Sequence, residues 1–142
     1  VFFGLSAMHT KRDMLRAVME GVAYSLRDCV EVCREMGVSV SDMMACGGGG
    51  TSALWRQMLA DLYGCSVKTV TSKEGPALGV AILAMVGAGM YDSVPEACQA
   101  VIRTKQVQEP IPEQIPVYDR CYQMYRSLYP AMRNSFKALA KL

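Results

Sequence analysis

Residues 47–52 read Gly-Gly-Gly-Gly-Thr-Ser, and they are the part of the chain best suited to chemistry. A glycine run lets the backbone approach a ligand closely, because no Cβ intrudes and a positive φ carries little penalty. A helix opening directly after the run would turn unpaired N–H groups and roughly half a positive charge back toward it, which favours an anion such as phosphate. Thr51 and Ser52 add hydroxyls at the same spot. The candidate anion-binding residues are therefore Gly47, Gly48, Gly49 and Ser52. Farther along, Glu74, Gly75 and Ala77 open another predicted helix at the same sheet edge, where they are placed to line a pocket. The competing reading is a plain flexible turn that allows close strand-to-helix packing, and the residues alone leave both open.

Two familiar phosphate loops do not fit. A P-loop needs GxxxxGK[ST], and no lysine follows these glycines. A dinucleotide fold needs GxGxxG with an acid closing the next strand; here Ser52 replaces the third glycine and the next strand ends Thr69-Val70-Thr71-Ser72. Glu74 comes too late to serve as that acid. His9, the only histidine, sits at a helix entry, where a local hydrogen bond is its expected work. No residue is assigned as catalytic and none as a metal ligand, since CxxC pairs and clustered His and carboxylates are lacking.

These residues must be held by an ordinary core. The 142 residues are 51% hydrophobic with a formal net charge of +2, which suits one α/β domain and excludes a nucleic-acid surface. Six cysteines scattered through apolar stretches suit a reducing cytosol, and the longest apolar run, residues 76–90, is too short to span a bilayer. Val1 stands where an initiator methionine or a basic leader would, so a piece of a larger protein is expected.

Periodicity supplies the elements. Residues 1–5 look β-like, and Thr10 with Asp13 resembles a capping box ahead of a long helix that Gly37 stops. Met14, Leu15, Val18, Val22, Leu26, Val30, Cys33 and Met36 form its apolar stripe. Residues 42–46 read as a buried strand, 53–63 as a helix, 66–71 as an alternating strand and 77–86 as a small-residue helix. Three such β/α units imply a parallel sheet. Ser93 and Glu96 open a short helix to about residue 105. A proline-stiffened connector, 109–116, leads to a last helix, 117–142, with a tyrosine stripe at 118, 122, 125 and 129 that should anchor it, and with a kink or restart at Pro130.

Several blocks in order resemble the FGGY family of carbohydrate kinases: Gly4-Leu5-Ser6; His9-Thr10; residues 16–28; Cys46 to Gly64; Glu74 to Ala84; and Tyr122, Tyr125 and 128–131. The "LWRQ…AD" portion leans toward members that act on D-xylulose. Gly50 departs from the pattern, since relatives often have alanine there; the change adds backbone freedom. The resemblance implies an actin-like ATPase fold of the ribonuclease H type, present here in part, with parallel strands, flanking helices and a C-terminal helical extension. Residues 1–142 would be the C-terminal kinase domain lacking its N-terminal side, with 109–116 as connector and 117–142 as closing helix.

It further implies ATP and Mg²⁺ as cofactors, a small sugar as substrate, and Gly47 and Gly48 near the phosphate and ribose with Ser52 near the adenosine. The activity implied for the intact protein is phosphorylation of a ketopentose such as D-xylulose. The alternatives are a kinase for another polyol or sugar acid, or a non-catalytic actin-like nucleotide-binding module. The catalytic base and metal ligands have no counterpart in these residues, so the chain alone is expected to be inactive. It is expected to be cytoplasmic, without nucleic-acid or membrane partners, and to self-associate as a homodimer or larger species.

Overall fold

The computed structural model describes residues 1–71 and 75–142. In chain order these form α1 (Lys11–Glu35), β1 (Asp42–Met44), a 3-10 turn (Gly48–Thr51), α2 (Ala53–Tyr63), β2 (Ser66–Val70), α3 (Gly75–Gly87), α4 (Val94–Val101), β3 (Thr104–Gln108) and α5 (Ile115–Leu139). They divide into two compact units, one of residues 1–40, 61–64 and 110–142, the other of 41–60 and 65–109.

The first unit is a helix pair. Asp13 opens α1 by accepting from the Thr10 amide (2.7 Å) and hydroxyl (2.8 Å), and the same two bonds hold its carboxyl below the usual range. The helix stops at Gly37, whose φ of +83° suits glycine; Gly37 N donates to Arg34 O and Val38 N to Cys33 O, two bonds that occupy carbonyls the last turn leaves free. Of the expected apolar stripe of α1, only Val30 is among the fully buried residues. Ala23, Tyr24 and Val30 are buried, whereas Leu15, Val18, Val22 and Leu26 remain 43–57% exposed. The side that meets α5 carries Tyr24 and Arg27, because α5 presents tyrosines there. Tyr24 has ring centroids of Tyr118, Tyr122 and Tyr125 at 6.5, 6.2 and 5.3 Å, and Arg27 lies 4.4 Å over the Tyr122 ring.

Polar bonds rim this cluster. Tyr122 donates to Asp28 at 2.5 Å, Arg27 pairs with Asp119 at 2.6 Å, and Arg16 donates to the Tyr118 hydroxyl at 2.6 Å. Three members of the stripe thus anchor α5, while Tyr129 is 64% exposed and stacks on Phe136. In the last turn of α2, Asp61 accepts from the Ile111 amide at 2.7 Å and the Tyr63 carbonyl accepts from Arg34 at 2.7 Å. Pro130 neither ends nor restarts α5, which runs unbroken through it. Residues 1–5 form no strand and pair with none among the described residues.

The second unit holds the sheet, in the order β1-β2-β3. β1 and β2 are parallel, with Met43 opposite Val67, as the strand–turn–helix spacing predicts. The expectation of an all-parallel sheet is corrected by β3, which runs antiparallel to β2 with Val107 opposite Lys68. Thr104–Gln108 finds a partner edge on β2, and that pairing takes the chain out of α4, which ends at Val101 instead of near residue 105. β1 is an edge strand and is not buried, whereas β2 is central and buries Val67 and Thr69 on one face. Met58, Leu59, Ala60, Cys65, Ile82 and Ala97 fill the core around it. Ser93 caps α4 by accepting from the Glu96 amide.

Candidate functional site at the glycine turn

β1 and β2 point their carboxyl ends to one edge of the sheet, and the ladder continues one step past β1 through Ala45 N to Lys68 O at 2.8 Å. Chain leaving the carboxyl ends of parallel strands is where open α/β sheets bind ligands. The chain leaves β1 through the glycine turn and leaves β2 toward α3.

Gly47 makes the exit. Its φ of +73° with ψ of −165° is a conformation only glycine adopts freely. The next residues coil into the 3-10 turn, closed by Gly50 N to Gly47 O and Ser52 N to Gly49 O, both 3.2 Å, and by the Thr51 hydroxyl on Gly48 O at 2.7 Å. Ser52 then turns extended and caps α2: its Oγ accepts from the Trp55 amide at 3.2 Å and its carbonyl from Arg56 N at 3.0 Å. Of the two candidate caps, Ser52 takes the role and Thr51 folds back on the turn.

Each glycine has a distinct reason. Around Gly48 an added Cβ would meet nothing within 4 Å among the described residues, so the packing there does not require a glycine. Gly49 lies under the Trp55 indole, whose Nε1 would be 3.3 Å from a Cβ. Gly50 is buried, and a Cβ there would be 2.7 Å from the Ala45 carbonyl oxygen. That corrects the expectation from sequence: Gly50 serves close packing, not backbone freedom, since its φ is not positive. Gly47, Gly48 and Gly49 are exposed, and the Gly48 and Gly49 amides have no acceptor among the described residues.

The second group of candidates joins the first at one point. Gly75 is the first residue of α3, and a Cβ on it would lie 3.3 Å from Cys46 Cβ, the residue just before Gly47. The amino ends of α2 and α3 are thereby brought to one sheet edge, with no acidic residue in the first turn of either. Ala77 is exposed in the first turn of α3. Glu74 lies outside the described residues. His9 accepts from the Ser6 amide at 3.0 Å, which is local loop structure.

Three neighbours of the turn were not foreseen from sequence: Cys46, Trp55 and Arg56. Arg56 had a readable signal. It shares a helical face with Leu59, Ala60 and Tyr63 at three- and four-residue spacing, and all three are buried. Among the described residues no helix is long and apolar enough to cross a membrane, and all six cysteines are free thiols.

Known proteins resemble this chain in sequence and fold. A family model described as the FGGY family of carbohydrate kinases, C-terminal domain, matches residues 1–88. A xylulose kinase of Staphylococcus epidermidis is 37% identical over 128 residues, covering 90% of this chain and 26% of that protein. The solved xylulose kinase of Rhodospirillum rubrum superposes with a TM-score of 0.84 at 31% identity, over 96% of this chain and 28% of the other. A solved gluconate kinase of Lactobacillus acidophilus superposes with a TM-score of 0.89 at 25% identity, over 98% and 28%. The chain spans about a quarter of the length of the relatives it matches.

Proposed function

This chain belongs to the FGGY family of carbohydrate kinases, and from that premise we propose that its glycine turn is the nucleotide-side wall of an ATP-dependent sugar kinase which, when intact, converts D-xylulose to D-xylulose 5-phosphate. Its fold is the actin-like α/β fold of those enzymes. The observation that carries the reading is the exposed turn itself. Two glycine amides without acceptors among the described residues stand at a Cβ-free position on the carboxyl edge of a parallel strand pair. Amides so placed form a concavity for an anion.

In this reading Gly47, Gly48 and Gly49 receive the phosphate and ribose side of ATP, and the Ser52 hydroxyl, which keeps a proton to donate while capping α2, reaches the adenosine side. Glu74, Gly75 and Ala77 line the adjoining wall. Bound ATP with Mg²⁺ supplies the phosphoryl group that a sugar hydroxyl attacks in line, a reaction governed by positioning and charge stabilisation. The work of these residues is to bind and orient. The intact protein is proposed to be cytoplasmic, in keeping with its free thiols, and residues 1–142 to act as its C-terminal kinase domain.

The test is Gly48→Val in the intact enzyme. It should raise KM for ATP about tenfold or more and leave KM for the sugar within about twofold, because the added Cβ meets nothing within 4 Å among the described residues and would obstruct only an approaching nucleotide. Ser52→Ala should act the same way but more mildly. Unchanged ATP dependence in Gly48→Val would reduce the turn to a packing device. A second substrate reading is a sugar acid, because a solved gluconate kinase and a solved xylulose kinase, both of Lactobacillus acidophilus, superpose equally, each with a TM-score of 0.89 at 25% identity. Comparing ADP release with D-xylulose, L-ribulose, gluconate and glycerol decides between them.

A further inference from the structure

Arg56 lies just inside α2 with 6% of its surface exposed. A guanidinium keeps its charge at any pH the protein meets, so this is a buried cation. Its Nη1 donates to the Gly50 carbonyl at 2.7 Å, and its Nε is buried with no partner among the described residues. It forms no ion pair among the described residues, whereas Arg27 and Arg34, which are less deeply buried, each have a carboxylate. A buried charge without a counter-charge is strongly unfavourable and persists only where something else offsets it.

What it touches suggests what offsets it. Gly50 is the innermost residue of the glycine turn, and Arg56 grips its carbonyl, the one buried acceptor of that loop in contact with a charged donor among the described residues. The grip fixes the carbonyl inward while the Gly48 and Gly49 amides stay without acceptors among the described residues on the exposed part of the same turn. The cation also sits at the amino end of α2, where it adds to the positive end of the helix dipole in place of opposing it. An isolated basic residue in that position is electrostatically wrong for a free helix and right for one that meets an anion.

We propose that Arg56 is a positioning residue of the nucleotide site: it holds the glycine turn in its ligand-ready shape through Gly50 and supplies, from behind the turn, positive charge that the nucleotide phosphates offset. The proposal rests on the nucleotide reading above and names the residue that tunes it. It differs from a purely structural role in one measurable way. A structural arginine would affect all ligands of the turn alike, whereas a charge behind the turn favours phosphorylated ligands over the bare nucleoside.

The experiment uses the intact kinase and calorimetric titration with ADP and with adenosine. Arg56→Met should weaken ADP about tenfold or more, as expected for removal of a buried hydrogen-bonded charge, and weaken adenosine less than about threefold. Arg56→Lys, which keeps the charge and a donor, should restore ADP binding to within about threefold of wild type. KM for the sugar should not move in either. Equal losses for ADP and adenosine, or a lysine variant as weak as the methionine one, would overturn the proposal. If the methionine variant does not fold, the lysine variant decides alone: a tenfold loss of ADP affinity there refutes the charge role. Gly48→Val is the companion control. Should it leave ADP binding intact, the nucleotide reading itself fails; should it weaken ADP while Arg56→Met does not, only the role of Arg56 fails.

Discussion

Gly48→Ala and Gly50→Ala are separated by two residues in one glycine run, yet the structure sets their consequences on different axes. At Gly50 a methyl group would lie 2.7 Å from the Ala45 carbonyl oxygen and 3.1 Å from its carbon, both backbone atoms that cannot swing away. Forcing a carbon into such a space costs about 1–3 kcal/mol. At Gly48 the same methyl meets nothing within 4 Å and the residue does not use a positive φ, so the gain from restricting the unfolded chain, about 0.4–1 kcal/mol, is not opposed. In an intact protein about four times the length of this chain, 1 kcal/mol moves the midpoint by about 1 °C. Gly50→Ala should therefore melt lower by about 1–3 °C, and Gly48→Ala at or slightly above wild type. Ligand should invert the order of damage. Saturating ADP raises the midpoint through its binding free energy, and Gly48→Ala should lose much of that increment while Gly50→Ala keeps most of it above its lowered baseline. The assay is a thermal melt of each intact variant with and without ADP. A Gly48→Ala protein as unstable as Gly50→Ala would show the turn is not built as described, and a full ADP increment in Gly48→Ala would show that no nucleotide approaches there.

Other consequences can be checked as directly. Tyr122→Phe removes a 2.5 Å bond to the half-exposed Asp28 carboxylate and should destabilise the helix pair by about 1 kcal/mol, read by denaturant midpoint at unchanged slope. Burial pushes the phenols of Tyr24, Tyr118, Tyr122 and Tyr125 up, so their stabilising contribution is complete below the ordinary phenol range near pH 10 and is lost as pH rises through the folded values. Tyrosinate absorbance at 295 nm should then appear in step with loss of helix, and early non-cooperative ionisation of all seven tyrosines would refute that packing. The apolar residues that α1 leaves exposed, Leu15, Val18, Val22 and Leu26, should drive the 142-residue chain to dimers or larger species in light scattering, and Val22→Glu should shift it toward monomer. The same chain should turn over no ATP with D-xylulose, and measurable transfer would place the catalytic groups within it.

What the sequence made legible follows from the range of the interaction involved. Caps, stops and helix spans are decided within a few residues, so Thr10 with Asp13, Gly37, Gly64, Ser93 and the limits of α2 all stand where local rules put them. The glycine turn was legible for the same reason, because a strand, a glycine run and a capping serine are contiguous. Pairing partners are not local. Whether residues 1–5 become a strand, whether β1 is central or at an edge, and whether 104–108 ends a helix to join β2 depend on chain far away in sequence, and there the local patterns misled.

The buried face of α1 shows the same limit from another side. Its aliphatic stripe is the stronger pattern, yet the side that packs is the one bearing Tyr24 and Arg27, because α5 answers it with Tyr118, Tyr122 and Tyr125 at matching spacing. An apolar stripe marks a face that could be covered; only a partner decides which face is. Arg56 completes the point for the site. Its helical spacing already placed a charge among Leu59, Ala60 and Tyr63, a local conflict between residue type and environment. Conflicts of that kind concentrate where a chain serves a ligand as well as its own fold, and this one lies directly beneath the glycines that the sequence nominated.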